Sequence, residues 1–261
     1  LRLLVKIGGS LLDSDDLRKR LAGEAAEVSR AGHQLVLVHG GGRQMTRFLS
    51  ERGIESRFID GLRVTTPDTI DAVLKVFAGS VNHQLVASLI EAGVGAVGLT
   101  GIDAGLVEAE PLRPELGAVG KPVRSNASLL DLLVGENYLP VVACVAADRG
   151  GTIYNVNADQ MAVACALGFR AEKLIFLTDV DGVLDAEKRL VPSLTAAKTE
   201  ELIRSGTATG GMLAKLSAAR EALQGGVSEV AIAAGAQQRV ISRLLCGVPL
   251  GTRLVSNREP S

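Results

Sequence analysis

Short apolar runs alternate along this chain with stretches whose apolar residues recur at helical spacing, and several of the runs end in glycine. The runs at 3–7, 35–38, 96–99, 107–109, 139–145, 173–177, 230–233 and 252–255 are predicted as strands. The stretches at 15–31, 44–52, 67–92, 129–136, 157–167, 199–205, 212–225 and 237–245 are predicted as helices. Alternation of this kind points to an α/β layered fold with a mostly parallel sheet. The composition agrees. Hydrophobic residues make up 47% of 261 residues but aromatics only 3%, so the core must be Leu, Val, Ile and Ala, as in sheets covered on both faces. A lobe boundary is placed near 168–173, giving lobes of 1–170 and 171–261. The polar tail at 256–261 is expected to fray.

Charge and cysteine content remove several classes of function. Lys plus Arg is 28 and Asp plus Glu is 29, so the net charge is −1 and nucleic acid is not an expected partner. Cys144, Cys165 and Cys246 form no CxxC pair, which leaves no zinc or disulfide framework and suits a reducing, cytoplasmic setting. The longest unbroken apolar stretch, near 138–147, is too short to cross a bilayer, so no membrane is expected. No GxSxG, HExxH or Cys–His arrangement is present, so acyl transfer through a nucleophile and zinc hydrolysis are unsupported.

Glycines follow two strands: Gly8-Gly9 after the first and Gly40-Gly41-Gly42 after the second. At the carboxyl ends of parallel strands, glycine lets backbone N–H groups reach phosphate or carboxylate oxygens. Neither run fits a P-loop or a dinucleotide fingerprint. Lys6 interrupts an apolar strand, either snorkelling to water or aimed at a phosphate. Arg63 lies in a loop before a long helix, where its fork suits a carboxylate. Asn155, Asn157 and Asp159 gather at a helix start, more polar groups than capping alone requires. Thr178-Asp179-Val180-Asp181-Gly182-Val183-Leu184 is a strand end and acidic loop, either a solvated turn or a nucleotide loop. Its acids miss the EF-hand pattern, so no protein metal site is expected. Thr207-Ala208-Thr209 leads through Gly210-Gly211 into a helix carrying Lys215.

In this order, over residues 5 to 253, these stretches resemble the amino acid kinase family. The likeness is closest to members that phosphorylate N-acetyl-L-glutamate, and Asn155-Val156-Asn157-Ala158-Asp159-Gln160 is its most specific part. The resemblance implies a three-layer αβα sandwich with a mainly parallel central sheet. It implies an N-terminal lobe for the acid and dimer contact, and a C-terminal lobe for ATP. The implied reaction moves a phosphoryl group from ATP, with Mg²⁺, to the side-chain carboxylate of N-acetyl-L-glutamate in arginine biosynthesis. The implied catalytic residues are Lys6, Lys215 and Asp159; Gly41, Gly42, Arg63 and Asn155 would bind the acid. Gly8, Gly9, Thr178–Leu184 and Thr207–Thr209 would contact the nucleotide. Arginine-inhibited relatives form hexamers through an extra N-terminal helix; with a first strand beginning by residue 3, a homodimer insensitive to arginine is expected. Two alternatives are a kinase for N-succinylglutamate or another acyl-amino acid, and a non-catalytic nucleotide or amino-acid sensor on the same fold.

Overall fold

The computed structural model describes residues 1–255, and the expectation for the tail at 256–261 lies outside them. The strands are β1 (Arg2–Ile7), β2 (Gln34–His39), β3 (Phe58–Ile59), β4 (Leu62–Arg63), β5 (Ala96–Thr100), β6 (Val107–Pro111), β7 (Val119–Ser125), β8 (Leu139–Ala143), β9 (Val145–Ala147), β10 (Ile153–Val156), β11 (Lys173–Thr178), β12 (Ser193–Leu194), β13 (Glu229–Ala234) and β14 (Thr252–Val255). The helices are α1 (Asp15–Arg30), α2 (Gly42–Ser50), α3 (Pro67–Val73), α4 (Asn82–Glu91), α5 (Ser128–Gly135), α6 (Ala158–Gly168), α7 (Ala196–Arg204), α8 (Gly210–Gln224) and α9 (Val240–Leu245). A π-helical stretch, Leu74–Val81, joins α3 to α4.

The main sheet has eight strands in the order β12-β14-β13-β11-β1-β2-β8-β5. From β13 to β5 every neighbour is parallel, and β14 runs antiparallel to β13. The central strands β1, β2, β11 and β13 are buried from their second residue onward, which explains their largely apolar sequences, broken within β1 only by Lys6. Helices α1, α4 and α9 pack together as one layer, and α6, α7 and α8 as the other. This is an αβα sandwich. Ile7 of β1 aligns with His39 of β2 and Leu177 of β11, so the glycine loop after β1, the one after β2 and the loop after β11 leave one edge side by side.

Beside this sheet, β10, β7, β6 and β9 close into a small barrel. Several of these strands carry no apolar signature. β7 is Val-Gly-Lys-Pro-Val-Arg-Ser, with Lys121, Val123 and Arg124 exposed, and β10 contains Asn155. Asn155 therefore stands in a strand rather than at a helix start; only Asn157 caps α6. The expected strand at 139–145 is also two strands, β8 and β9, split at Cys144.

The run Pro67–Glu91 is 25 residues long and apolar enough in composition to cross a bilayer. Here it is packed: Val73, Phe77, Leu85 and Leu89 are buried, and α4 lies against α1, β5 and β8.

Candidate active site

Two lysines from distant parts of the chain meet at one carboxylate. Lys6, on β1, places Nζ 2.8 Å from Asp159 Oδ1. Lys215, in the second turn of α8, places Nζ 3.3 Å from Asp159 Oδ2. Asp159 sits in the first turn of α6, where the Asn157 side chain accepts hydrogen bonds from the N–H groups of Asp159 and Gln160. That cap fixes the start of the helix, and so fixes the carboxylate. All three charged side chains are largely buried, and Lys215 is the most open at 14% exposure. Burial alone would raise the Asp159 pKa. The Lys6 and Lys215 ammonium groups outweigh it and hold the carboxyl below its ordinary value. One carboxylate against two ammonium groups leaves a local excess of positive charge, suited to an anion.

The two glycine loops touch each other. A Cβ on Gly9 would lie 3.0 Å from the Gly42 nitrogen, closer than side chains ordinarily pack, so glycine is what allows this approach without a shift of the second loop. Gln44 Nε2 donates to the Gly9 carbonyl at 3.0 Å, tying α2 to the first loop. Gly41 precedes α2, and the amides of its first turn have no intrahelical partner. They border a cavity of about 170 Å³, lined also by Arg63, Asn155, Asn157 and Cys144.

Arg63 is buried at 8% exposure. Its guanidinium donates to the Gly42 carbonyl at 3.1 Å, to Thr46 Oγ1 at 2.7 Å and to Ser56 Oγ, and packs over Phe58 with 4.7 Å from Cζ to the ring centre. Every partner is neutral, and among the described residues no carboxylate pairs with it. Burial lowers its pKa. Asn155 Nδ2 donates to Thr65 Oγ1 at 3.1 Å, and Thr65 Oγ1 in turn donates to the Arg63 carbonyl. Cys144 also reaches this cavity, but burial pushes its thiol up to about 12, so it is no thiolate nucleophile.

On the other side of β1, Thr178 Oγ1 donates to Asp179 Oδ1 and the chain turns outward. Asp179, Val180 and Asp181 are exposed. Val183 is buried, with its N–H donated to Thr252 Oγ1 at 2.8 Å, so it anchors this loop from within. Leu184 bridges to Leu190. Thr207 bonds Ser205, Ala208 N–H donates to the Leu202 carbonyl, and Thr209 precedes α8 with no side-chain capping bond. Among the described residues no group of three or more His, Cys, Asp or Glu could hold a metal ion.

Residues that the motifs did not single out complete the site. Gln44 ties the loops, Thr46 and Ser56 hold the arginine, and Thr65 holds Asn155. Gln44 and Thr46 lie within one helical turn of Gly42, Thr65 lies two residues after Arg63, and Ser56 lies seven residues before it in a loop. Only three-dimensional pairing reveals them.

The amino acid kinase family model matches residues 2–234. The chain belongs to the amino acid kinase family. Within it, the chain is 62% identical over 256 residues to an acetylglutamate kinase of Solibacter usitatus, covering 98% of this chain and 100% of that protein. It is 44% identical over 234 residues to the acetylglutamate kinase of Acidobacterium capsulatum, covering 89% and 90%. Among solved structures, an N-acetylglutamate synthase from Neisseria gonorrhoeae, complexed with coenzyme A and N-acetyl-glutamate, superposes with a TM-score of 0.85 at 26% identity. That match covers 100% of this chain and 60% of that one. A carbamate kinase from Giardia shares the fold, with a TM-score of 0.71 at 15% identity over 97% and 98%.

Proposed function

We propose that this protein transfers the γ-phosphoryl group of ATP to the side-chain carboxylate of N-acetyl-L-glutamate, a step of arginine biosynthesis. The convergence of Lys6 and Lys215 on Asp159, beside the paired glycine loops, carries the reading. The family membership and the 62% identity to an acetylglutamate kinase support it.

The chemistry suits a site without a nucleophile or base. The acceptor carboxylate is already ionised at neutral pH. One of its oxygens attacks the γ-phosphorus, the bond to the β-phosphate oxygen breaks, and ADP leaves with the electron pair. The protein must bring two anions together and stabilise charge spreading over the transferred group. Arg63, matched by no carboxylate among the described residues, and Asn155 would hold the α-carboxylate, with the Gly41 and Gly42 amides on the acid. Lys6 and Lys215 would flank the moving phosphoryl group, with Asp159 holding both lysines in place. Gly8, Gly9, the loop from Thr178 to Leu184 and Thr207–Thr209 would meet the nucleotide. Mg²⁺ would arrive as part of the substrate MgATP; such an ion needs only phosphate oxygens, water and one or two carboxylates, not a protein cage.

An ATP-dependent hydroxamate assay with N-acetylglutamate, N-succinylglutamate, glutamate and aspartate in parallel tests the reading. Product with N-acetylglutamate is expected. Preference for the succinyl compound would reassign the acyl group, and no turnover with any acid would favour a sensor. The family resemblance carries a further expectation of a cytoplasmic homodimer.

A further inference from the structure

The loop that borders the acid cavity is held from beneath by a buried chain of side chains. His39 is the last residue of β2 and fully buried. Its Nδ1 lies 2.9 Å from the Gly40 carbonyl, and its Nε2 lies 3.0 Å from Asn82 Nδ2. A carbonyl can only accept, so Nδ1 carries the proton; Nε2 is then the acceptor, and the Asn82 amide is the donor. The same Asn82 nitrogen donates to the Val141 carbonyl at 2.9 Å, which leaves the amide no freedom to flip. On its other side Asn82 occupies the space above Gly98, where a Cβ would lie 2.0 Å from Oδ1. Asn82 thus sets the tautomer of a ring that grips the first peptide of the glycine loop.

The element carrying Asn82 is also unusual. Asn82 follows the π-helical stretch, whose Phe77 and Val81 press on Gly41; a Cβ there would lie 2.9 Å from the Phe77 ring. The wide segment and the first residue of the helix that follows it therefore touch the loop twice, once by packing at Gly41 and once through His39 at Gly40. Wide turns of this kind recur at functional sites.

We propose that Asn82 is a positioning residue for the reaction: by donating to His39 Nε2 it keeps the Nδ1 proton on the Gly40 carbonyl and so aims the Gly41 and Gly42 amides at the acid substrate. The inference rests on the proposed function for the identity of that acid. The charged group facing the ring, from the adjacent β1, is Lys6.

Two measurements test it. In the wild type, ¹⁵N imidazole spectra should show His39 protonated on Nδ1 and bare on Nε2; a ring protonated on Nε2 overturns the proposal whatever any variant does. In Asn82→Asp the carboxylate cannot donate to Nε2. The ring must then take a second proton, which keeps the Gly40 contact, or move its proton to Nε2, which loses it. The KM for N-acetylglutamate should rise about tenfold at alkaline pH and fall back on acidification, with the KM for MgATP unchanged. A KM for the acid equal to wild type across the pH range overturns the proposal, as does an equal, pH-independent loss in all constants. A wild type without kinase turnover would defeat the functional reading instead, while the imidazole spectrum still reports on the tautomer.

Discussion

A buried carboxylate that faces two ammonium groups is held in place by them, and it holds them in turn. Removing Asp159 by Asp159→Asn leaves Lys6 and Lys215 facing each other with one neutral amide between them. A stability loss of about 3 kcal/mol is expected in denaturant titration, since a broken buried pair strands its remaining charge. Lys6→Ala and Lys215→Ala each leave Asp159 one partner. These two should fold, bind both substrates within a few-fold of wild type, and lose on the order of 10²–10³ in turnover in the hydroxamate assay. His39 gives a separate, pH-linked signal. Burial lowers its pKa from 6.5 to about 4, so the unfolded chain binds the extra proton in between. Stability is then fully present above pH 6.5 and falls as the pH drops towards 4, by roughly 3 kcal/mol over that window. Urea midpoints from pH 7 to 5 should show the decline, and His39→Asn should flatten it. Lys6 and Asp159 were legible because a lysine in an apolar strand is out of place and Asp159 shares its helix start with two asparagines, more polar groups than a cap requires; Lys215 stood out only as a lysine one turn into a helix behind Gly210-Gly211. Asn82 gave no such sign, since an asparagine within a long helix reads as surface.

At the level of elements, the apolar strands and amphipathic helices were legible because burial on both faces, or on one stripe, writes itself into periodicity. Of the small barrel only 107–109 and the end of the 139–145 run were legible as strand; β7 and β10 were not, because they gain their stability from pairing with their neighbours while β7 exposes Lys121 and Arg124. The π-helical stretch was equally hidden. Its apolar residues, Val76, Phe77 and Val81, fit an ordinary helix, so nothing in their spacing marks the wide turn. Its packing makes a local prediction. Gly41→Ala would drive a methyl into the Phe77 ring, so either α2 or the wide turn must shift. The variant should melt several degrees lower by calorimetry, and its KM for N-acetylglutamate should rise with little change in that for MgATP. The double variant Gly41→Ala, Phe77→Leu should recover part of both losses.

For the whole molecule, one sheet carries both halves of the proposed site: β1 pairs with β2, whose loop borders the proposed acid cavity, and with β11, which leads into the proposed nucleotide loop. A hinge confined to 168–173 would have to bend this continuous ladder, so approach of the two substrates should come mainly from the loops and outer helices. Small-angle scattering with ADP and N-acetylglutamate together should show a modest compaction, absent with either ligand alone. As the proposed homodimer, the protein should return twice the 27.1 kDa chain mass in light scattering. The aligned ends of β2, β1 and β11 also act as a ruler. Three neighbouring strands span roughly 10 Å from first to last, a spacing set by main-chain pairing and indifferent to side-chain identity. If Arg63 holds the α-carboxylate as proposed, an acid one methylene shorter, such as N-acetylaspartate, would leave its reacting oxygen short of a phosphorus held at the far end of that span, and it should turn over poorly in the hydroxamate assay.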